Sequence, residues 1–138
     1  MSHLHEIQQS NIAIVRQLYY SFLAHDIDGI VPLLADNVDW LFFGPATIPF
    51  AGHYIGPLRV AEFFHRAIEK SEFVLFEPRD FVAGINTVLV QGHERGIARS
   101  TGKHWETEWA HVYTIEDGRI TKLREYYDTA VVATAFME

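Results

Sequence analysis

The sequence predicts an α+β domain in which three N-terminal helices cover one face of a mostly antiparallel sheet. Two observations carry this. Apolar residues recur with a helical period through the first half of the chain, and from Glu72 onward four long β-type runs follow one another, separated by hairpin signals. A long sheet of this kind twists and can curl around its helices, leaving a cone-shaped hollow with its mouth at one end. With 138 residues, 49% apolar and 21% charged, the chain has the length and composition of one globular domain with a core of its own. A polar N-terminal extension over residues 1–9 is expected to stand outside that core, with His3 and His5 in a mobile terminus.

The elements follow in order. Val15, Leu18, Tyr19 and Phe22 fall on one face of a first helix, Asn11 to Ala24. Asp26 or Asp28 can cap a second, shorter helix carrying Ile27, Ile30, Val31 and Leu34, with Pro32 tolerable only near its first turn. Asn37 to Phe43 reads as a strand, and Gly44 to Gly56, rich in Gly and Pro, as a loop. Pro57 suits the first position of a third helix, whose buried face is Val60, Phe63, Phe64 and Ala67. The β-type runs are Glu72–Ala83, Asn86–Ser100, Lys103–Ile115 and Arg119–Asp128, and a last helix, Thr129 to Phe136, can be capped by Asp128.

Composition excludes several classes. The chain has no cysteine, which removes disulfides, thiolate zinc sites and cysteine nucleophiles. Eleven basic against eighteen acidic residues, a net charge of −7, with no basic run, argue against nucleic acid as a partner. No apolar stretch reaches the roughly 18 residues of a membrane span, and the polar N-terminus does not read as a signal peptide, so a cytoplasmic protein without membrane contact is expected. The eight histidines have no metal-ligand spacing with an acid, and no metal or cofactor is expected. Gly96 to Lys103 has the wrong glycine spacing for a phosphate loop. Nineteen aromatic residues (ten Phe, six Tyr, three Trp) suit either a plain core or an apolar ligand pocket.

Several local motifs together form a recognisable pattern. After the first helix come His25-Asp26-Ile27-Asp28-Gly29 and Leu34-Ala35-Asp36-Asn37-Val38-Asp39-Trp40. The second half holds Trp109-Ala110-His111-Val112-Tyr113, Glu116-Asp117-Gly118-Arg119-Ile120 and Arg124-Glu125-Tyr126-Tyr127-Asp128-Thr129. From Gln8 to Phe136 this resembles the SnoaL-like, ketosteroid isomerase-related branch of the nuclear transport factor 2-like superfamily. The resemblance implies a cystatin-like, cone-shaped half-barrel over residues 1–138, a deep apolar pocket, and a homodimer through the outer sheet face. The superfamily includes isomerases, cyclases, dehydratases, epoxide hydrolases and non-enzymatic modules, so fold alone does not select the activity. The position of the steroid isomerase base falls on Phe42, that of its oxyanion-hole tyrosine on Leu18 beside Tyr19 and Tyr20, and that of its buried acid on His111. The Arg and two Asp of the limonene epoxide hydrolase type fall on Trp109, His111 and Glu125, of which only Glu125 is a carboxylate. Neither familiar mechanism is therefore expected.

Strand parity nominates other groups. Trp105, Thr107, Trp109, His111, Tyr113 and Ile115 share one face, an aromatic wall with one titratable residue in its middle. A two-residue Thr101-Gly102 turn sets Trp109 opposite Glu94 and His111 opposite Gly92, where a glycine would leave room for a ligand. The last hairpin has two readings. A two-residue Asp117-Gly118 turn turns Ile120, Arg124 and Tyr126 inward; a three-residue loop turns Leu123, Glu125 and Tyr127 inward, and the resemblance favours the second. His111 and Glu125 are then the candidate catalytic pair for acid/base chemistry without a cofactor. Trp40, Trp109, Tyr127 and Glu94, with Tyr19, Phe22, Phe50 and Phe63, are expected to contact a small hydrophobic ligand such as a cyclic ketone, polyketide-like or terpenoid compound. Plainer roles exist for each: a hydrogen-bonded core histidine, a surface or interface ion pair for Glu125, a solvated Glu94, and half of each Phe-Phe pair (Phe42-Phe43, Phe63-Phe64) as core filling. The same fold could also serve as a non-catalytic binding module.

Overall fold

A computed structural model describes residues 2–138. Helix α1 runs Ser2–Leu23, strand β1 Leu34–Phe42, β2 Gly52–Ile55, α2 Pro57–Lys70, β3 Ser71–Ala83, β4 Thr87–Ala98, β5 His104–Glu116, β6 Arg119–Tyr127 and α3 Thr129–Ala135. The six strands form one open sheet in the order β2-β1-β6-β5-β4-β3, antiparallel throughout except for the parallel β1–β6 pair. The architecture is the expected α+β cone.

Helix α1 begins earlier than its strongest period suggests, so the segment expected as a loose extension is helical from Ser2, with His3 and His5 on it; Met1 lies outside the described residues. The helix ends where His25 takes a left-handed conformation, φ 56°, and the Asp26 amide reaches back to the Ser21 carbonyl at 2.8 Å. The expected second helix is two 3-10 turns, Ile27–Gly29 and Val31–Leu33. Asp26 caps the first by accepting from the Gly29 amide, and Pro32 breaks the run before an α-helix can form. The Gly44–Gly56 loop holds one unforeseen element, the short edge strand β2, paired antiparallel to β1 from Asp39 to Phe42. Helix α2 buries Val60, Phe63, Phe64 and Ala67, the face its sequence period marks. Both members of the Phe63-Phe64 pair are core, because adjacent helical residues point only about 100° apart. In the Phe42-Phe43 pair alternation holds: Phe42 is buried, and Phe43 stacks outside on Tyr126.

Two register details decide what enters the cone. Arg99 to Gly102 form a four-residue loop, so Ala98 bonds to Lys103 and the β4–β5 ladder lies two residues from the expected register. Trp109 faces Gly92, and His111 faces Val90. An even slip leaves facing unchanged, so the aromatic wall still turns inward. Gly92 does not make room for a ligand: a Cβ there would strike the Trp109 ring and stand 2.6 Å from the Glu77 carbonyl. At the last hairpin both sequence readings are half realised. The turn is the two-residue Asp117-Gly118 type, with both residues at positive φ and Glu116 opposite Arg119. A bulge at Thr121 then pairs Ile115 with Ile120 but Thr114 with Lys122, and reverses parity. Ile120 on one side of the bulge, and Leu123, Glu125 and Tyr127 on the other, all face inward, whereas Arg124 and Tyr126 face out.

Candidate functional site

The hollow between sheet and helices is a cavity of about 40 Å³ whose wall is almost wholly aromatic: Tyr19 and Phe22 from α1, Trp40 and Phe42 from β1, Phe63 and Phe64 from α2, Phe73 and Phe76 from β3, Trp105 and Tyr113 from β5. Phe50 and Val132 close it from the loop after β1 and from α3. Apart from the phenols, the titratable groups in this wall are Glu94, His111 and Glu125, one from each of β4, β5 and β6.

His111 is buried, with 5% of its side chain exposed. Its Nδ1 is 2.8 Å from the Tyr19 hydroxyl, which accepts from the Tyr113 hydroxyl at 3.1 Å. Tyr113 spends its one proton on Tyr19, so Tyr19 donates to Nδ1 and the imidazole proton sits on Nε2. Burial above all, then the neighbouring Tyr113, holds the Tyr19 phenol well above its ordinary range. Burial likewise raises Tyr113, so both phenols stay protonated donors. Nε2 lies 3.1 Å from Glu125 Oε2, yet no directed hydrogen bond joins them: Nε2 is a buried polar atom without a hydrogen-bond partner. The contact is close but undirected and leaves the N–H unused, and such an atom in a cavity wall is available to a ligand. Glu125 stands beside His111 on one side and Phe42 on the other in the strand ladder.

The indole of Trp109 lies flat on the imidazole, centroids 3.9 Å apart, and also stacks with Phe76. It is not among the residues that line the cavity. Glu94 does line the cavity. It is opposite Thr107, not Trp109, and Trp105 Nε1 donates to its Oε2 at 2.9 Å. Burial, opposed by the Trp105 hydrogen bond and reinforced by Glu125, pushes its carboxyl up to about 8. Tyr127 lines the cavity, and its hydroxyl donates to the Phe43 carbonyl. Asp128 is not in the site: it caps α3 by accepting from the Val131 amide.

Tyr19, Phe22, Trp40, Phe50, Phe63, Glu94, His111, Glu125 and Tyr127 thus meet in one cavity. Trp105 and Tyr113 were on the inward face by parity, but nothing in the sequence distinguished them from core. Phe73 and Phe76 share a face because a bulge at Val74 breaks the alternation of β3 between them, which local period does not encode. Among the described residues no group of three His, Asp or Glu side chains could hold a metal ion.

The profile of the SnoaL-like domain matches residues 15–123. The chain belongs to the SnoaL-like domain family. A nuclear transport factor 2-like protein from Burkholderia xenovorans, of solved structure, is 31% identical to this SnoaL-like chain over 94% of its length and 98% of the other's, with a TM-score of 0.87. A Rhodopseudomonas palustris protein provisionally named an isomerase is 21% identical, covering 91% and 94% of the two chains, TM-score 0.78. A Xanthomonas campestris protein provisionally named a polyketide cyclase is 19% identical, covering 94% and 98%, TM-score 0.77. These last two likenesses are likenesses of fold. No curated protein matches the chain.

Proposed function

We propose that this SnoaL-like protein is a cofactor-independent acid/base enzyme acting on a small hydrophobic molecule that carries a carbonyl group, as an isomerase, cyclase, dehydratase or hydrolase. The observation that carries the proposal is the buried, unpartnered Nε2 of His111, 3.1 Å from Glu125 in an aromatic cavity. The carboxylate of Glu125 takes a proton from a carbon or oxygen of the ligand. His111, fixed through Nδ1 by Tyr19, donates from Nε2 to the ligand oxygen that gains charge. The proton on Glu125 then returns at the same or another ligand atom, so no outside reductant or oxidant is needed. Phe42, at the position of the steroid isomerase base, is Glu125's partner across the β1–β6 ladder. The carboxylate is thus carried one strand away, which supports a proton transfer with a different arrangement of groups. Fold neighbours provisionally named isomerase and polyketide cyclase are compatible with this class of chemistry.

The experiment is turnover of cyclic ketones and β-diketones, followed by mass spectrometry, with wild type, His111→Ala and Glu125→Gln. A loss of about 10²- to 10⁴-fold in both variants is expected; full activity in His111→Ala would refute the role. One observation favours a second reading, a binding module without chemistry. The cavity is small, about 40 Å³, and its wall is mostly aromatic, the composition of a packed core. Binding of the same ketones with no turnover by wild type would select that reading. The proposal also includes a cytoplasmic homodimer through the outer sheet face, where Leu89, Ala110 and Val112 are half-buried and Tyr126 is exposed. Light scattering after Val112→Glu tests it, with a monomer expected.

A further inference from the structure

Glu94 is the cavity group that this proton transfer leaves without a task. It stands opposite Thr107, four residues along β5 from His111, which is about 13 Å of strand at the usual rise. It therefore enters the hollow from a different point along the sheet from the His111–Glu125 pair, in the same cavity and near enough to feel the Glu125 charge. Its one hydrogen bond comes from Trp105 Nε1 to Oε2, which leaves its other oxygen unengaged by any protein group. The other titratable groups around the cavity are Tyr19 from α1, His111 and Tyr113 from β5, and Glu125 and Tyr127 from β6. Helices α2 and α3 and strands β1 and β3 contribute only aromatic and aliphatic side chains, so no Lys or Arg faces Glu94 across the cavity. A part-buried carboxyl in an apolar wall without a cation is costly, and an apolar residue of similar size would pack there at less expense. A hydrogen-bonding role toward something that enters the cavity accounts for its presence.

We infer that Glu94 is a specificity-determining residue that hydrogen-bonds a second oxygen function of the ligand, so that the cavity takes an apolar compound with oxygens at both ends, one at the His111–Glu125 pair and one at Glu94. This rests on reading the cavity as the ligand site. With its carboxyl pushed up to about 8, Glu94 is a neutral acid at pH 6 to 7 and presents an O–H to a ketone or ester oxygen. Above that pH the anion has no proton to give, and it repels an acceptor.

Two rigid probes that do not titrate separate the outcomes: trans-2-decalone, with one carbonyl, and trans-decalin-2,6-dione, with a carbonyl at each end. Their affinities are read by calorimetry at pH 6 and pH 9. The wild type should bind the dione about 3- to 10-fold more tightly at pH 6, and this preference should shrink at pH 9. Glu94→Gln, whose amide still donates, should keep the preference and lose its pH dependence; Glu94→Leu should reverse it, because the second carbonyl is then buried unpaired. Equal affinities in the wild type, or an unchanged preference in Glu94→Leu, would overturn the inference while leaving the acid/base reading intact. Failure of both probes to bind would overturn the inference together with the reading of the cavity as a ligand site, and binding of the mono-ketone alone would overturn the inference by itself. Loss of the catalytic reading alone would appear in turnover by His111→Ala and not in this affinity ratio.

Discussion

Replacing Glu94 with Gln should change how stability depends on pH, and the size of the effect follows from the site. The Glu94 carboxyl titrates near 4.5 when exposed and near 8 in the folded protein, chiefly because burial disfavours its charge. The folded state therefore holds this proton more tightly than the unfolded chain. Its contribution to stability is fully present below about pH 4.5, falls as pH rises through the window, and levels off above about 8. Each pH unit inside the window costs up to about 1.4 kcal/mol, so the whole span amounts to at most about 5 kcal/mol. Water entering the cavity would reduce this, and half that value would still be easily measured. The assay is urea unfolding of wild type and Glu94→Gln at half-unit steps from pH 4.5 to 9. Subtracting one curve from the other cancels the titrations the two proteins share. The wild type should lose stability relative to the variant by several kcal/mol between pH 5 and 8, with no further loss above 8.5. Parallel curves would refute the reasoning, since they would mean that Glu94 titrates as an ordinary exposed carboxyl.

Other perturbations test the frame around the site. Gly92→Ala should cost about 1–3 kcal/mol, since the new Cβ meets the Trp109 ring and the Glu77 carbonyl at 2.6 Å; thermal melting should show a lower midpoint together with a changed near-ultraviolet tryptophan signal. Tyr19→Phe removes the partner of His111 Nδ1 and the acceptor of the Tyr113 hydroxyl, and should destabilise by about 1–3 kcal/mol; turnover should fall with it while the fold, seen by circular dichroism, is kept. Asp128→Ala deletes the cap of α3 and should cost about 1 kcal/mol, with faster hydrogen exchange confined to Thr129–Ala135 and its neighbours.

The parts of this architecture that were legible in the sequence are those governed by local period. Val60, Phe63, Phe64 and Ala67 mark the buried face of α2 because helical spacing alone selects them, and the inward wall from Trp105 to Ile115 follows from alternation. What sequence could not resolve were the irregularities that local period does not encode. The four residues of the Arg99–Gly102 loop shift Trp109 from Glu94 to Gly92, and the shift is harmless to facing only because it is even. The bulge at Thr121 reconciles two readings of β6 that exclude each other in a regular strand: Ile120 and Glu125 both face inward because one extra residue lies between them. Trp109 and His111 share a face, yet the indole folds flat onto Gly92 and the imidazole, and only the histidine reaches the cavity. Parity alone does not separate the cavity-lining residue from its neighbour. The Tyr113–Tyr19–His111 chain joins residues more than ninety positions apart, a pairing that no short motif announces.

The central claim is that His111 and Glu125 move a proton to or from a ligand held in the cavity. Its most direct measurement is hydrogen–deuterium exchange at the carbon next to the carbonyl of trans-2-decalone, followed by proton NMR in heavy water at neutral pH. Wild-type protein should accelerate the exchange over buffer, and His111→Ala and Glu125→Gln should each lose about 10²-fold or more of that acceleration. Exchange at the same rate in wild type and both variants, or no faster than in buffer although the ketone binds, would contradict it.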